Sequence, residues 1–238
     1  MCKYLYMKHP QLPLGLALRD SARFESYFPG PNAEALHCLQ ALAAGEGEAL
    51  VYLAGGAGLG KTHLLQAACH AAGRCEQAAA YVPLCEWRIL APGLFEGLEQ
   101  LQLVCVDDVD AIAGLAEWET GLFHLFNRMR DSGSRLLAAG SDPVDRIGLQ
   151  LPDLASRLGW GVSYALHSLD EAGVLHALVY RAHSRGLELP EETAAYLLKR
   201  LPRDLSSVFD FLDRLDEAAM IEQRRLTIPF VKTVLDPA

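Results

Sequence analysis

Long apolar runs are missing from this 238-residue chain. None approaches the roughly 18 to 20 residues that a membrane-spanning helix needs, so no span is expected. The first residues, MCKYLYMKHPQLPL, lack a long apolar segment and a clean cleavage site, which argues against export and for a cytoplasmic protein. Paired metal-ligand spacings are missing as well. The six cysteines (Cys2, Cys38, Cys69, Cys75, Cys85, Cys105) form no C-x-x-C, and the eight histidines sit in no H-E-x-x-H. A structural zinc site or a disulfide framework therefore has no support, and the cysteines read as buried reduced thiols. Basic residues are in deficit: 21 Lys and Arg against 30 Asp and Glu, a net charge of −9. The deficit holds in both parts, −6 over 1–167 and −3 over 168–238. Neither carries the basic excess that binding a phosphate backbone demands, so sequence-specific DNA recognition is not expected. Repeats and low-complexity tracts are missing too, and a 51% hydrophobic composition fits a well-cored globular chain.

What is present is concentrated at Leu50 to Leu65. This stretch contains Gly55-x-x-x-x-Gly60-Lys61-Thr62, a complete phosphate-binding loop. An apolar run (Leu50, Val51, Tyr52, Leu53) precedes it and a helical pattern (His63, Leu64, Leu65, Ala67, Ala68) follows. The strand–loop–helix context is what the motif requires. Glycines let backbone N–H groups turn toward phosphate oxygens, and the N-terminus of the next helix adds partial positive charge. Lys61 reaches the β- and γ-phosphates and the Thr62 hydroxyl binds Mg²⁺.

Downstream, Leu101 to Val106 runs into Asp107 and Asp108. Such a run suits a strand buried on both faces of a parallel sheet, with acids at the carboxyl end where α/β sheets place their chemistry. It resembles a Walker B element: Asp107 holds Mg²⁺ through water, and Asp108 polarises an attacking water. Trp118, Leu122, Leu125, Phe126 and Met129 recur at helical spacing and read as core packing. Arg135 to Ala139 reads as a further strand ending at Gly140-Ser141-Asp142-Pro143. That tip is either a plain turn or the site of a phosphate sensor. Asn32 is expected to cap a helix through about Ala44, and Ser168 one over 170–185. From Ser168 onward the pattern is all helix, with a stripe at Leu205, Val208, Phe209, Leu212 and Leu215 and a terminal helix opened by Pro229.

Five features together carry a family resemblance: the loop at 55–62, the strand ending in Asp107-Asp108, the Ser141-Asp142 tip, the SRLGWG box at 156–161, and Arg203 at a helix start. They resemble the AAA+ module of the DnaA family of bacterial replication initiators. Asp153 to Gly161, Leu187 to Pro190 and Leu226 to Lys232 are more similar to that family's regulatory branch, the inactivators of DnaA. The resemblance implies an α/β fold: an AAA+ P-loop parallel-sheet core flanked by helices, with a small C-terminal all-helical lid. Its boundaries would be a tail at 1–20, a core at 21–167 and a lid at 168–238. The chain stops where an initiator would continue into a DNA-binding domain.

By the same resemblance, ADP or ATP with Mg²⁺ is held by Gly55, Gly58, Gly60, Lys61, Thr62, His63 and Arg203, the metal lying at Thr62 and Asp107. Asp108, Ser141 and Arg157 are the catalytic candidates, Arg157 as an arginine finger acting in trans. The hexamer QLPLGL, with Gln11, Leu12, Leu14 and Leu16, resembles a peptide that binds the DNA polymerase sliding clamp, although Gly15 stands where proline is common. The function implied is negative regulation of replication initiation, by stimulating hydrolysis of DnaA-bound ATP. The alternative is a stand-alone P-loop ATPase acting as a replication loader or adaptor, possible also as a homo-oligomer.

Overall fold

The computed structural model describes residues 18, 21–201, 205–222 and 225–235. The clamp-like segment, with Gln11, Leu12, Leu14 and Leu16, and Arg203 lie outside the described residues. Contacts divide the chain into two units. One comprises the described residues up to Phe24 together with Asn32–His167, the other Glu25–Pro31 together with the described residues from Ser168 onward.

The first unit is built on five strands: β1 (Leu50–Ala54), β2 (Ala79–Pro83), β3 (Leu103–Asp107), β4 (Arg135–Gly140) and β5 (Val162–Ala165). They lie in the order β2-β3-β4-β1-β5, and every pairing is parallel. Helices α1 (Ala33–Ala43), α2 (Lys61–Arg74), α3 (Ala116–Ser132) and α4 (Pro152–Leu158) accompany them. All five residues of β3 and the last four of β1 are buried. Strands covered by helices on both faces cannot alternate polar and apolar residues, which is why the sequence shows continuous runs here.

The register decides where chemistry gathers. Ala54 pairs with Gly140 and Pro83 with Asp107, so the strands' carboxyl ends line one edge. β1 lies between β4 and β5, while β2 lies at the far side beyond β3. The crevice beside such a change of strand order is where open α/β sheets bind ligands.

Helix α3 buries Trp118, Leu122, Leu125, Phe126 and Met129 against a core that includes Tyr52, Val104, Val106 and Leu154. It also buries Glu119, which no apolar periodicity anticipates. Two capping expectations are corrected. Asn32 precedes α1, but its side chain makes no cap bond. It donates to the His167 carbonyl (3.0 Å) and accepts from the His167 N–H (2.8 Å), acting as a buried clamp across the sequence. The cap of α5 (Glu171–Ser184) is Asp170 rather than Ser168, accepting from Gly173 N–H at 2.7 Å.

The second unit is helical, formed by α5, α6 (Glu191–Leu198), α7 (Leu205–Glu222) and α8 (Ile228–Leu235). Its core joins Leu178, Leu197, Val208, Phe211, Leu212, Leu215 and Phe230. Phe211, outside the stripe read from the sequence, is buried, whereas Phe209 is half-buried beneath Arg181, whose guanidinium lies 4.3 Å from its ring.

Candidate nucleotide site and arginine cluster

The loop Gly55–Gly60 connects β1 to α2. Gly55 N–H donates to the Gly140 carbonyl at 3.1 Å, holding the loop's first residue beside the end of β4. Gly58 (φ 79°) and Gly60 (φ 88°) are left-handed, and Gly60 immediately precedes α2. An L side chain disfavours that conformation, so glycine is what allows the chain to enter the helix from the loop. The first-turn N–H groups of a helix have no intrahelical acceptor and can face an anion. Lys61 is only 9% exposed. Its Nζ donates to the Gly55 carbonyl and, at 3.0 Å, to the Gly56 carbonyl. The ammonium group is thus held at the loop itself. His63 differs: its Nε2 lies 2.9 Å from the Arg23 carbonyl oxygen. The ring is therefore engaged by the segment before α1, and what His63 has for a phosphate is its first-turn backbone N–H.

At the end of β3, Asp107 is fully buried. Its Oδ1 accepts from Asp108 N–H (3.1 Å) and its Oδ2 from the Tyr81 hydroxyl (2.9 Å). The Thr62 hydroxyl bonds the same carboxylate. The donor set fits a hydrated Mg²⁺: a buried carboxylate, a hydroxyl bonded to it, and a phosphate loop from the same helix. Asp108 has an unusual backbone, φ 53° and ψ 50°, a left-handed conformation that Asp tolerates better than most residues. The Cys85 thiol bonds to Asp108, and burial first, then that carboxylate, pushes the thiol up to about 11.

Burial is the main cause holding the Asp107 carboxyl above its ordinary range, and the Asp108 charge adds to it. Bonds from Thr62, Tyr81 and the Asp108 N–H pull the other way. The sign follows from linkage: with a raised native pKa, the folded protein binds more protons than the unfolded chain, so stability falls as pH rises. In metal-free buffer, Asp107→Asn should therefore gain stability relative to the wild type as pH climbs from roughly 4 toward neutrality. Thermal melts of both proteins across that range check this. A constant gap would show that ionising Asp107 does not strain the fold.

Ser141 is exposed at the end of β4, and its N–H donates to Asp110 Oδ1 at 2.9 Å. The Tyr52 hydroxyl donates to the Asp142 carbonyl at 2.9 Å. A Cβ on Gly140 would fall 2.1 Å from that hydroxyl, so the strand must end in glycine for the tip to be held this way. Lys61, Thr62, Asp107, Asp108 and the Ser141 tip thus share one edge of the sheet. Arg157 does not join them through any described contact. It projects from α4 into an aromatic cluster, its guanidinium 4.5 Å from the Trp160 ring centre, 5.5 Å from Phe123 and 5.9 Å from Phe126. Its Nη1 is buried without a hydrogen-bond partner. Asp153, on the same helix, is not an ion-pair partner. Trp160 is 60% exposed and packs edge-on against Phe126.

Glu119, 1% exposed, is what places α4. Its carboxylate accepts from Gly114 N–H (2.6 Å), Gln150 N–H (3.0 Å) and Leu151 N–H (2.7 Å), joining the loop before α3 to the residues that start α4. Sequence reasoning missed Glu119, Tyr81 and Cys85. Glu119 looks like an ordinary helical acid beside Trp118, and the other two acquire partners only through strand register.

Residues 170–235 match the family model described as the Hda lid domain. Over the whole fold, the chain is similar to domain III of the replication initiation protein DnaA from Thermotoga maritima: 22% identity, 92% of this chain and 97% of that one, TM-score 0.75. It is similar to AMPPCP-bound DnaA from Aquifex aeolicus at 22% identity and TM-score 0.68, over 82% of this chain and 65% of that one. The RuvB branch migration motor of Thermotoga maritima shares 17% identity, 86% of this chain and 67% of its own, at TM-score 0.59. The phosphate loop and the parallel sheet define a P-loop α/β fold of the kind seen in domain III of DnaA. More particularly, residues 170–235 carry a lid of the Hda kind.

Proposed function

We propose that this protein is a negative regulator of DNA replication initiation: a nucleotide-bound AAA+ protein that binds the sliding clamp and stimulates hydrolysis of the ATP held by DnaA, leaving inactive ADP–DnaA. The observation that carries this reading is the setting of Arg157. A guanidinium stacked among aromatic faces, bonded to no carboxylate among the described residues and in no described contact with its own phosphate loop, is suited to a phosphate presented by another molecule. Planar, permanently charged Arg stabilises charge on a transferring phosphoryl group in a way a point charge does not. The match of residues 170–235 to the Hda lid supports the same reading.

In this proposal ADP or ATP occupies the loop Gly55, Gly58, Gly60, Lys61 and Thr62, with His63 contributing its backbone N–H and Arg203 contacting the nucleotide. Thr62 and Asp107 would hold Mg²⁺, which would neutralise phosphate charge, and Ser141 would sense the terminal phosphate. The test is ATP hydrolysis by purified DnaA with this protein and DNA-loaded clamp, omitting each in turn. Stimulation needing both additions supports the regulator, and ATP turnover by this chain alone supports the rival stand-alone ATPase. One observation favours that rival: Lys61, Thr62, Asp107 and Asp108 are all present at one edge.

The clamp contact rests on Gln11, Leu12, Leu14 and Leu16. A short extended peptide orders few residues on binding, and tethering raises effective concentration, so a weak contact suffices. Changing Gln11, Leu14 and Leu16 together to Ala should abolish retention of this protein on immobilised clamp. Undiminished retention would remove the tether. The site is proposed to act in the cytoplasm, and no helix among the described residues is long and apolar enough to cross a membrane.

A further inference from the structure

We infer that Tyr81 is a positioning residue for the metal: its hydroxyl, supported by Gln66, fixes the plane of the Asp107 carboxylate so that Asp107 and Thr62 address one Mg²⁺ together. The inference rests on the nucleotide-site reading above and names a residue that reading does not use.

The geometry is built by two elements with different periods. Along β2 and β3, Tyr81 pairs with Cys105 and Pro83 with Asp107. Successive strand residues alternate faces, so Tyr81, Pro83, Cys105 and Asp107 share one face of the sheet. Along α2, Thr62, Gln66 and Cys69 are spaced four and three apart and lie on one stripe of the helix. The two rows meet side chain to side chain. Thr62 bonds Asp107, Gln66 bonds Tyr81, and Cys69 bonds Cys105. Gln66 is a buried polar side chain in an otherwise apolar helix face, and Tyr81 is the partner that accounts for it.

The hydrogen bonds run in one direction. The Gln66 amide donates to the Tyr81 oxygen, which leaves the Tyr81 proton to be donated to Asp107 Oδ2 at 2.9 Å. The Asp108 N–H takes Oδ1 at 3.1 Å. With both oxygens held from opposite sides, the carboxylate cannot rotate about its terminal torsion, which is otherwise broad. With Thr62 also bonded to this carboxylate, one of its roughly four lone-pair sites remains for metal-bound water. A phenol hydroxyl is protonated at neutral pH, so Tyr81 is a donor to Asp107. Phenylalanine would fill the same volume and supply the same packing. The hydroxyl is what the carboxylate uses.

Removing a group that hydrogen-bonds a metal-binding carboxylate typically costs about 10- to 100-fold in metal affinity. The experiment uses the full chain and measures ADP affinity by calorimetric titration, once in EDTA and once in excess MgCl₂. For Tyr81→Phe, the ratio of the two affinities should fall about tenfold, while affinity in EDTA stays at the wild-type value. In an Asp107→Asn background, Tyr81→Phe should change the ratio no further, since groups acting through one another are not additive. An unchanged ratio in Tyr81→Phe overturns the inference. So does an equal loss in EDTA and in MgCl₂, which would assign Tyr81 to packing or to the nucleotide itself. So does a wild type whose ADP affinity ignores Mg²⁺. Lys61→Ala separates this from the parent reading: if that variant binds ADP as tightly as wild type, the phosphate-loop assignment is what has failed.

Discussion

Arg157→Ala should abolish stimulation of DnaA-bound ATP hydrolysis, with a loss on the order of 10³-fold or more, the scale at which arginine fingers act in related phosphoryl-transfer systems. The variant should remain folded, because Arg157 is half-buried and packs on the faces of Trp160, Phe123 and Phe126 rather than closing an ion pair. Its own nucleotide affinity should be unchanged, since its described contacts are with aromatic rings and none is with the phosphate loop. Arg157→Lys distinguishes charge from shape. An ammonium keeps the charge but loses the planar fork and the stacking, so rescue should be poor. Single-turnover hydrolysis of ATP preloaded on DnaA, with clamp present, reads the effect. Full activity of Arg157→Ala would end the finger assignment, and equal activity of the lysine variant would end the geometric part of it. Trp160 offers a second readout. It is exposed, stacked on the guanidinium, and its fluorescence should respond to Arg157→Ala in the isolated protein.

Glu119→Ala should strongly destabilise the core unit. The carboxylate accepts from three backbone N–H groups, and losing it leaves the half-buried Leu151 N–H without an acceptor and those of the exposed Gly114 and Gln150 to find water. Orphaned groups cost about 1–3 kcal/mol each, and those bonded to a charge sit at the upper end. Partial relaxation and water entry reduce the sum, so about 3–5 kcal/mol is expected. For a chain of this size that is a fall of about 10 °C in Tm. Glu119→Gln should fall between the two, since its amide keeps one acceptor but turns two donors toward N–H groups. Because Gln150 and Leu151 precede α4 directly, the damage should reach Arg157. Stimulation of DnaA should drop even at temperatures where the variant is folded. A Tm within about 2 °C of wild type, or full stimulation despite a large drop, would refute the link from Glu119 to the finger.

These two effects differ in how far the sequence alone reveals them. Gly55 to Thr62 is legible because its physics is local. Left-handed glycines, a helix N-terminus and a lysine at fixed offset are all set by neighbours in the chain. The same holds for β1 and β3, whose continuous apolar runs can only be strands covered on both faces, and for α3, whose buried stripe has the helical period. The parallel α/β core and the helical region after Ser168 follow from those patterns.

The rest is decided by contacts between residues far apart in sequence. Asn32 has the chemistry of a helix cap, but its amide matches the His167 backbone instead, and two buried bonds outweigh one at an exposed helix end. Nothing within a few residues of Glu119 shows that loop ends from both sides of α3 will bring it three N–H groups. Tyr81 and Asp107 meet because β2 and β3 pair in one register; a one-residue slip would turn one of them to the opposite face. Arg157 becomes a stacked cation rather than a solvated one because α4 packs against the aromatic side of α3. Sequence by itself determined which side chains could bind phosphate and metal. Only the tertiary structure decided how each is aimed, because hydrogen-bond partners and aromatic faces are supplied by elements that the chain brings together on folding.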